Sequence, residues 1–477
     1  MKKLILFLGV FYIGIISAQE TTDIKESIKK ASEGDEGTQL MLGIFNSITN
    51  TEQGYKEAIY WFTRAAEQGN SVAQFQLGFF YHKGMGGEQS DNKASYWWRK
   101  AAEQGNSDAQ YNIGLLYNEG LGVEQSDSKA FHWWEKAAEQ GNAEAQYLLG
   151  DCYRKGTGVE QSDSKAFYWW KKAAEQGKAE AQISLGFCYY EGRGIEQSNS
   201  KVFYWWKKAA EQGNPDAQVR LGACYDKGIG VEQSDSKAFY WYKKAAEQGN
   251  VEAQISLGFC YYEGKGVEKF DSKAFYWWEK AAEQGDPYAQ TQLGFCYSQG
   301  IGVEQSYSKA VDWWEKVAEQ GNPDAQFNIG LCYHKGQGVE QSNIKAFHWW
   351  EKSAKQGNVK AQISLGFCYN KGIGVEQSDS KAFYWYKKAA EQENSSAQFN
   401  IGLYYHNGQG VEQSNSKAFY WWKKAAEKGH AAAQNNLARC YYFGEGVEKS
   451  QSKAIYWLRK ACENFNDQAC EMLNKLK

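Results

Sequence analysis

Apolar residues recur along this chain at helical spacing, in two successive stretches of one segment. The segment 142–177 reads "NAEAQYLLGDCYRKGTGVEQSDSKAFYWWKKAAEQG". Its first stretch places four residues at i, i+4, i+7 and i+8: Ala145, Leu149, Cys152 and Tyr153. Its second stretch has a similar spacing in Ala166, Trp169, Trp170, Ala173 and Ala174. One face of a helix carries such spacing, so the segment predicts two amphipathic helices.

Residues that favour helix ends flank both stretches. Asn142 is a good N-cap, and Gly141 and Gly177 lie where a helix C-terminus favours a left-handed residue. Either Ser162 or Asp163 can cap the second helix. The three prolines of the chain each follow an Asn or Asp cap, where a missing N–H costs nothing: Pro215, Pro287 and Pro323.

The two-helix segment is repeated in tandem. The dipeptide Ala-Gln begins every 36 residues, at Ala73, Ala109, Ala145, Ala181, Ala217, Ala253, Ala289, Ala325, Ala361, Ala397 and Ala433. A weaker copy precedes this series and a partial copy, "DQACEML", follows it, which gives about twelve repeats and a closing half-repeat. A single helix pair cannot bury its apolar face, so the pairs must stack. The sequence therefore predicts an all-α solenoid.

The N-terminus is typical of a secretory signal peptide. Lys2 and Lys3 form a charged region, the apolar run 4–16 follows, and Ser17 and Ala18 offer a cleavage site. The run is short for a membrane span, although an uncleaved anchor is the alternative. We therefore expect an exported protein, periplasmic or secreted. Its expected parts are a signal peptide (1–18), a lead-in helix (19–33), the solenoid (34–465) and a capping half-repeat (466–477).

The repeat pattern A-Q-x-x-L-G-x-x-Y-x-x-G-x-G-V, followed by K-A-x-x-W-W-x-K-A-A-E-Q-G, resembles the Sel-one-like repeat (SLR) family, which is related to the tetratricopeptide repeat. The resemblance covers roughly residues 34 to 470. It implies a right-handed α/α superhelix that serves as a scaffold for protein or peptide binding. The usual proline after the loop valine is replaced here, mostly by Glu, as at Glu160. Some exported, cysteine-rich members of the family (the Hcp type) are linked to β-lactams or cell-wall fragments.

Eight of the ten cysteines occupy one repeat position: Cys152, Cys188, Cys224, Cys260, Cys296, Cys332, Cys368 and Cys440. Phe80, Leu116 and Tyr404 take that position in other repeats, which indicates apolar packing rather than a ligand or a cross-link. We therefore expect buried free thiols. Cys462 and Cys470 differ, since their spacing across a helix turn resembles the bridges of the cysteine-rich SLR branch. The resemblance therefore implies a disulfide between them, which an exported protein allows.

The sequence offers little support for catalysis or metal binding. The six histidines are scattered and no C-x-x-C occurs. The motif "SDSK" at 126–129 matches the S-x-x-K of penicillin-recognising enzymes, but it recurs as a capping loop and no K-T-G accompanies it. The net charge of −3 gives no electrostatic case for nucleic acid. We expect no enzyme activity, no cofactor and no metal.

A binding surface is predicted from the positions that vary between repeats. Counting the alanine of Ala-Gln as position 0, positions 2, 6 and 9 point away from the packed face and differ most between copies. The first helices of such solenoids line the concave surface, so we predict a groove formed by Phe75, His82, Tyr111, Tyr147, Arg154, Phe187, Tyr190, Tyr262, Phe327, His334, Phe399 and His406. Alternatively, positions 2 and 6 pack between neighbouring first helices.

The predicted function is an exported scaffold that binds a protein or peptide in this groove. Binding of carbohydrate or cell-wall fragments is one alternative, because aromatic faces can stack on sugars. The Trp pairs look suited to this role, but Trp133 and Trp134 share a helix face with Ala130 and Ala137, which favours core packing. A weak β-lactamase-like hydrolase, by family analogy, is a second alternative.

Overall fold

The computed structural model describes residues 20–475, and these residues form helices joined by turns, without strands. The predicted signal peptide lies outside the described residues. In chain order the helices are α1 (Glu20–Ser32), α2 (Glu36–Ser47), α3 (Glu52–Glu67), α4 (Ser71–Lys83), α5 (Asp91–Glu103), α6 (Ser107–Glu119), α7 (Asp127–Glu139), α8 (Ala143–Lys155), α9 (Asp163–Glu175), α10 (Ala179–Glu191), α11 (Asn199–Glu211), α12 (Pro215–Lys227), α13 (Asp235–Glu247), α14 (Val251–Glu263), α15 (Asp271–Glu283), α16 (Pro287–Gln299), α17 (Tyr307–Glu319), α18 (Pro323–Lys335), α19 (Asn343–Lys355), α20 (Val359–Lys371), α21 (Asp379–Glu391), α22 (Ser395–Asn407), α23 (Asn415–Glu427), α24 (Ala431–Phe443), α25 (Gln451–Glu463) and α26 (Asp467–Lys475). From α2 onward, even-numbered helices are the first helices of repeats and odd-numbered helices are the second helices.

The chain divides into two compact units, one that ends at Ala245 and one that starts at Ala246. In each unit, consecutive helices pack on one another, both within a repeat and from one repeat to the next. The predicted stacking of helix pairs is therefore confirmed, and each unit is an α-solenoid. We call the two parts unit 1 and unit 2.

The capping residues behave as the sequence predicts. The Asn142 side chain accepts a hydrogen bond from the Ala145 N–H at 3.0 Å, at the start of α8. The Ser162 hydroxyl accepts from the Lys165 N–H at 3.4 Å, so Ser162 rather than Asp163 is the cap of α9. The three prolines occupy the first turn of α12, α16 and α18. Side-chain caps thus satisfy donors that the first turn of a helix leaves unpaired.

The glycine pair in most loops between the first and second helices brings that loop against the preceding repeat. Gly156 ends α8 with a left-handed backbone (φ +74°), and Gly158 follows with φ +70°. A β-carbon at Gly158 would lie 2.3 Å from the Asp127 carbonyl oxygen, at the N-terminus of α7. The G-x-G motif is therefore a packing contact between repeats, since no larger side chain fits there.

A buried tryptophan joins the two helices of most repeats. The Trp170 indole lies against Gly150 of α8, where an added β-carbon would lie 2.3 Å from the ring. Its N–H donates a hydrogen bond to the Tyr147 carbonyl oxygen at 3.2 Å. The preceding Trp169 is only half-buried. The second tryptophan of each pair is therefore core, as predicted, whereas the first lies at the edge of the core in every pair except that of Trp205, which is buried.

A ladder of glutamines links successive second helices through the first helix between them. The buried Gln146 donates from Nε2 to the Ala138 carbonyl oxygen at the end of α7, at 3.0 Å. Gln176, just after α9, donates to the Oε1 of Gln146 at 2.7 Å. The same pair of bonds recurs along the chain, for example at Gln326 and Gln356. Where both bonds form, the buried carboxamide connects three helices, which explains the invariant Gln of the Ala-Gln dipeptide within this chain.

The eight cysteines at the common repeat position are free and buried, as predicted. Burial raises the pKa of Cys188 to about 12, so its thiol stays protonated and unreactive near neutral pH. Cys462 and Cys470 are bonded to each other, with their Cα atoms 4.9 Å apart. This bond connects the end of α25 to α26, the last helix of unit 2.

Candidate functional site

The first helices expose one face, which we define as the side chains at positions −1, 3, 6 and 10 relative to the alanine of Ala-Gln. In α10, the residues at positions 0, 1, 4, 5, 7 and 8 are buried. Glu180, Phe187 and Glu191 are exposed on the opposite side, and Ser184 is half-buried between them. This first-helix face is therefore one of the surfaces that the fold leaves exposed.

Position 6 places apolar side chains in the middle of this face. Phe187, Phe295 and Phe367 are exposed to 36%, 39% and 43%. The other apolar residues at this position are half-buried, namely Phe79, Leu115, Ala223, Phe259, Leu331 and Leu403. Large apolar side chains that remain exposed on a folded surface often mark a binding site. Of the groove residues predicted from sequence, Phe187 and Tyr190 are the ones exposed to this extent, at 36% and 47%.

Position 9 lies at the edge of the face, against the buried tryptophan. The rings of His82, His334 and His406 lie 5.4, 5.5 and 5.4 Å from the tryptophan of the same repeat. Tyr190 and Tyr262 make the same contact at 6.1 and 5.7 Å, although Tyr190 remains 47% exposed. These side chains are therefore anchored by the core and still border the exposed face. Arg154, at the same position, is half-buried.

The histidines at position 9 also bind the next helix. The Nδ1 of His82 lies 2.7 Å from the Oδ1 of Asp91, at the start of α5. His334 and His406 make equivalent contacts with Asn343 and Asn415, at 2.9 and 3.3 Å. One ring nitrogen of each histidine thus contacts a residue of the same repeat. These histidines therefore contribute to the shape of the face as well as to its polarity.

Position 2 is less accessible than the sequence suggests. Phe75 is buried, with 6% of its surface exposed, in the core with Ala94 and Trp98. It therefore does not reach the predicted groove. Tyr111, Tyr147, Phe327 and Phe399 at the same position are half-buried. The alternative that position 2 packs between helices describes Phe75 better than a role in binding.

One cluster of charges borders Tyr147. Lys178, just before α10, lies 2.7 Å from the Oε2 of Glu144 and 3.2 Å from the Oε2 of Glu180. Although burial lowers the pKa of Lys178, its hydrogen bonds to the two carboxylates raise that pKa above its usual range overall. Its ammonium group lies 5.8 Å from the centre of the Tyr147 ring. Charged side chains of two neighbouring repeats therefore form one ion cluster beside Tyr147.

A match to a family model extends over nearly all of the described chain. The Sel1 repeat model matches twelve consecutive segments: 38–70, 71–106, 107–142, 143–178, 179–214, 215–250, 251–286, 287–322, 323–358, 359–394, 395–430 and 431–464. The chain is a member of the Sel1 repeat family. Sel1 repeats form non-catalytic scaffolds that generally mediate protein–protein interaction.

Solved Sel1 repeat structures resemble the chain closely. A protective antigen of uropathogenic Escherichia coli that displays an SLR fold shares 37% identity, with a TM-score of 0.71, over 88% of this chain and 90% of that chain. A Sel1 repeat protein from Oxalobacter formigenes shares 34% identity, with a TM-score of 0.53, over 63% and 88%. The comparison with curated protein sequences found no match.

The geometry of this Sel1 chain explains the motifs that suggested catalysis. The Ser126 hydroxyl of "SDSK" caps α7 by accepting from the Lys129 N–H at 3.4 Å. The Lys129 ammonium lies 5.4 Å from the centre of the Tyr117 ring, directed at an aromatic face. Within residues 20–475 no group of three or more His, Cys, Asp or Glu side chains could hold a metal ion. Nor does any helix there have the length and hydrophobicity to cross a membrane.

Sequence reasoning missed the contribution of position 3. Arg220 of α12 places its guanidinium 5.6 Å from the Phe187 ring of α10, so it lies on the first-helix face. Position 3 holds polar residues in most repeats, including Asn328 and Asn400. The alternation of apolar position 6 with polar position 3 was the signal that could have identified this row, because the two positions are neighbours on a helix.

Proposed function

We propose that the protein is an exported scaffold, periplasmic or secreted, that binds protein or peptide segments on its first-helix face. The exposure of the phenylalanines at position 6 carries this proposal. A folded protein gains nothing from leaving these rings in water, whereas a partner that covers them gains apolar burial. The scaffold function of the Sel1 repeat family supports the same conclusion.

Export is proposed from the charged and apolar residues of segment 1–18 alone. Processing after Ala18 would give a mature chain that starts at Gln19. Mass spectrometry of the protein recovered from culture fractions would identify both its N-terminus and its compartment. A chain recovered in the cytoplasm with Met1 retained would contradict this part of the proposal.

Sugar binding on the second helices has weaker support. Trp133 is half-buried and its ring is approached by the Lys136 ammonium at 4.9 Å. In α9, Lys172 lies 4.8 and 5.2 Å from the rings of Tyr168 and Trp169. A lysine thus already covers an aromatic face that a sugar would need. These cation–π contacts stabilise the second helices themselves.

The proposal is tested with two double variants, each of which replaces two exposed aromatic side chains. Tyr190→Ser combined with Phe187→Ser removes one exposed ring from the first-helix face and one from its edge. The control, Tyr204→Ser combined with Tyr168→Ser, removes rings of the second helices that are exposed to 48% and 49%. Binding partners captured from the native envelope and secreted fractions should be lost from the first variant and kept by the control.

Equal capture by both variants would contradict binding on the first-helix face. Thermal unfolding of both variants checks that neither loss reflects misfolding. A purified partner should then bind the first variant at least tenfold more weakly than the parent chain, as measured by isothermal titration calorimetry.

A further inference from the structure

At the C-terminal end of unit 2 a disulfide takes the place of a ladder hydrogen bond. In each first helix from α2 to α24, a glutamine donates to the carbonyl oxygen of an alanine eight residues earlier, as Gln146 does to Ala138. Cys462 lies at the repeat position of Ala138, and Cys470 lies at that of Gln146. These two cysteines are bonded to each other. The contact that docks α26 on α25 is therefore covalent, whereas the equivalent contact elsewhere is a hydrogen bond.

Few other contacts hold α26 in place. The helix has 9 residues, compared with 13 in α10. Among its described side chains, Ala469 and Leu473 are the buried ones, and they form a small cluster with Ala438, Leu458 and Ala461. A helix of this length is not stable by itself in water. The docking of α26 therefore depends on this cluster and on the disulfide.

The turn between α25 and α26 opposes docking. Phe465 has a left-handed backbone (φ +62°) at the position that Gly141 and Gly177 hold in other repeats. Such a backbone costs free energy for a residue that has a β-carbon. The Phe465 side chain is 93% exposed, so burial of its ring does not offset that cost. Backbone strain thus lies in the segment that must bend for α26 to reach α25.

The disulfide is open to attack by a thiol from outside the chain. Cys462 and Cys470 are both half-buried, whereas the eight free cysteines are at most 7% exposed. Burial raises the pKa of Cys440, which precedes the disulfide most closely in sequence, to about 12. Its thiol therefore stays protonated near neutral pH and does not attack the disulfide. Opening the bond requires an external reductant.

A dithiol compound or a dithiol protein is a sufficient reductant. Attack by one of its thiolates breaks the S–S bond and forms a mixed disulfide, which its second thiol then resolves. Two electrons and two protons pass to Cys462 and Cys470, which become thiols. The dithiol is oxidised to its own disulfide.

From the replaced ladder bond, the small buried cluster and the strained turn, we propose that the Cys462–Cys470 disulfide is a redox-controlled switch for the docking of α26. In the oxidised chain α26 is docked, and Ala469 and Leu473 are buried. In the reduced chain α26 leaves α25, and the apolar side chains of the cluster gain exposure. The rest of unit 2 stays folded, because each repeat is held by contacts with its own neighbours. An oxidising compartment thus closes this end of unit 2, and a reducing one opens it.

Hydrogen exchange of the full mature chain, measured by mass spectrometry with and without dithiothreitol, tests the proposal. The amides of α26 should exchange at least tenfold faster after reduction, while those of α20 to α23 exchange at an unchanged rate. Iodoacetamide added to the reduced, folded chain should label Cys462 and Cys470 and leave the buried cysteines unlabelled. This labelling shows that the disulfide has been reduced before exchange is compared.

Two variants separate the loss of the disulfide from other effects of the reductant. Cys462→Ser/Cys470→Ser cannot form the bond, so α26 should exchange as fast as in the reduced parent, with or without dithiothreitol. The variant Cys462→Ala/Phe465→Gly/Cys470→Gln restores the three residues common at these positions. Its new carboxamide can donate to the carbonyl oxygen of residue 462, and the glycine removes the strain. Its α26 should exchange more slowly than that of the serine variant, and equally with or without dithiothreitol.

Each contrary outcome counts against a specific part of the proposal. If α26 exchanged equally fast in the oxidised and reduced parent chains, the disulfide would not control docking. If reduction also accelerated exchange in α20 to α23, the disulfide would stabilise unit 2 as a whole and would not be a local switch. If α26 of the triple variant exchanged as fast as that of the serine variant, the disulfide would not stand in for a ladder bond. None of these results bears on binding at the first-helix face.

Discussion

At the scale of single residues, the N-cap of one first helix differs from the common type. The N-cap of a first helix is Asn or Asp in most repeats, but it is His430 before α24. The Nδ1 of His430 accepts from the Ala433 N–H at 3.3 Å, and the ring stacks on Phe399 at 4.8 Å. Burial lowers the pKa of His430 below its ordinary value. The cap therefore functions only while the ring is neutral.

His430 should make the C-terminal repeats sensitive to acid. The unfolded chain takes up a proton at His430 before the folded chain does, so stability is lost as pH falls from about 6.5 through the lower pKa of the folded state. A protonated ring cannot accept at Nδ1, and the lost cap costs about 1 kcal/mol. His430→Asn should remove this loss, as measured by urea unfolding at pH 7.5 and pH 5.

The control for this prediction is His348, which is exposed on α19. His348→Asn should keep the acid sensitivity of the parent chain. If His430→Asn lost as much stability between pH 7.5 and pH 5 as the parent, the cap would not be the acid-sensitive group.

At the scale of helices, the junction between α21 and α22 departs from most of the ladder. Glu393 has a left-handed backbone (φ +64°) where the equivalent residues Gly357 and Gly429 are glycines. Lys428 replaces the glutamine that would pair with Gln398, and it donates instead to the Glu393 carbonyl oxygen at 2.6 Å. The Oε1 of Gln398 is left buried without a partner. This junction therefore lacks one ladder bond and carries backbone strain.

Restoring the common residues should stabilise unit 2. Glu393→Gly removes the strain, and Lys428→Gln supplies the missing donor, because the new carboxamide can reach Gln398. Together they should raise the free energy of unfolding by about 1–2 kcal/mol, measured by urea denaturation. The reciprocal control, Gly357→Glu, should lower it by about 1 kcal/mol. If the free energy of unfolding of the double variant did not rise, the contact of Lys428 with Glu393 would compensate fully for the backbone strain and the missing ladder bond.

The helices and their ends were predictable because local chemistry decides them. Asn142, Ser162 and Pro215 act within one helical turn, and the 36-residue period shows which apolar positions share a face. The packing role of Cys188 was also predictable, because Phe, Leu and Tyr take its place in other repeats. The burial of Phe75 was not predictable, since the angle of position 2 on the helix says nothing about how closely the next repeat approaches. The polar character of position 3 is visible in the sequence, but the contact of Arg220 with Phe187 was not predictable because it crosses between repeats.

At the scale of the whole molecule, stability is shared among repeats that contact their neighbours. The loop contact of Gly158, the Trp170 bond and the ladder bonds of Gln146 all recur in other repeats. In such arrays the stability is approximately a sum over repeats and interfaces. A repeat can therefore be removed if the two new neighbours present the same contacts.

Deletion of residues 359–394 tests this additivity. The cut joins Asn358 to Ser395, which keeps an Asn cap in front of the next first helix. The shortened chain should fold cooperatively, and its urea m-value should fall by about one twelfth, in proportion to the surface buried. Deletion of residues 359–376 alone removes a first helix without its partner and should leave part of unit 2 unfolded. Failure of the 36-residue deletion to fold would contradict the additive description.

The short reach of the contacts between repeats has a consequence for how the chain is made. Hydrogen bonds that join repeats, such as that from Gln176 to the Gly141 carbonyl oxygen, span 35 residues. Contacts this local cost little loop-closure entropy and form quickly. A chain that emerges N-terminus first can thus pack each new helix pair onto the last as it appears. At the growing end only the newest helix pair lacks a following repeat to cover it, whatever the length of the finished array.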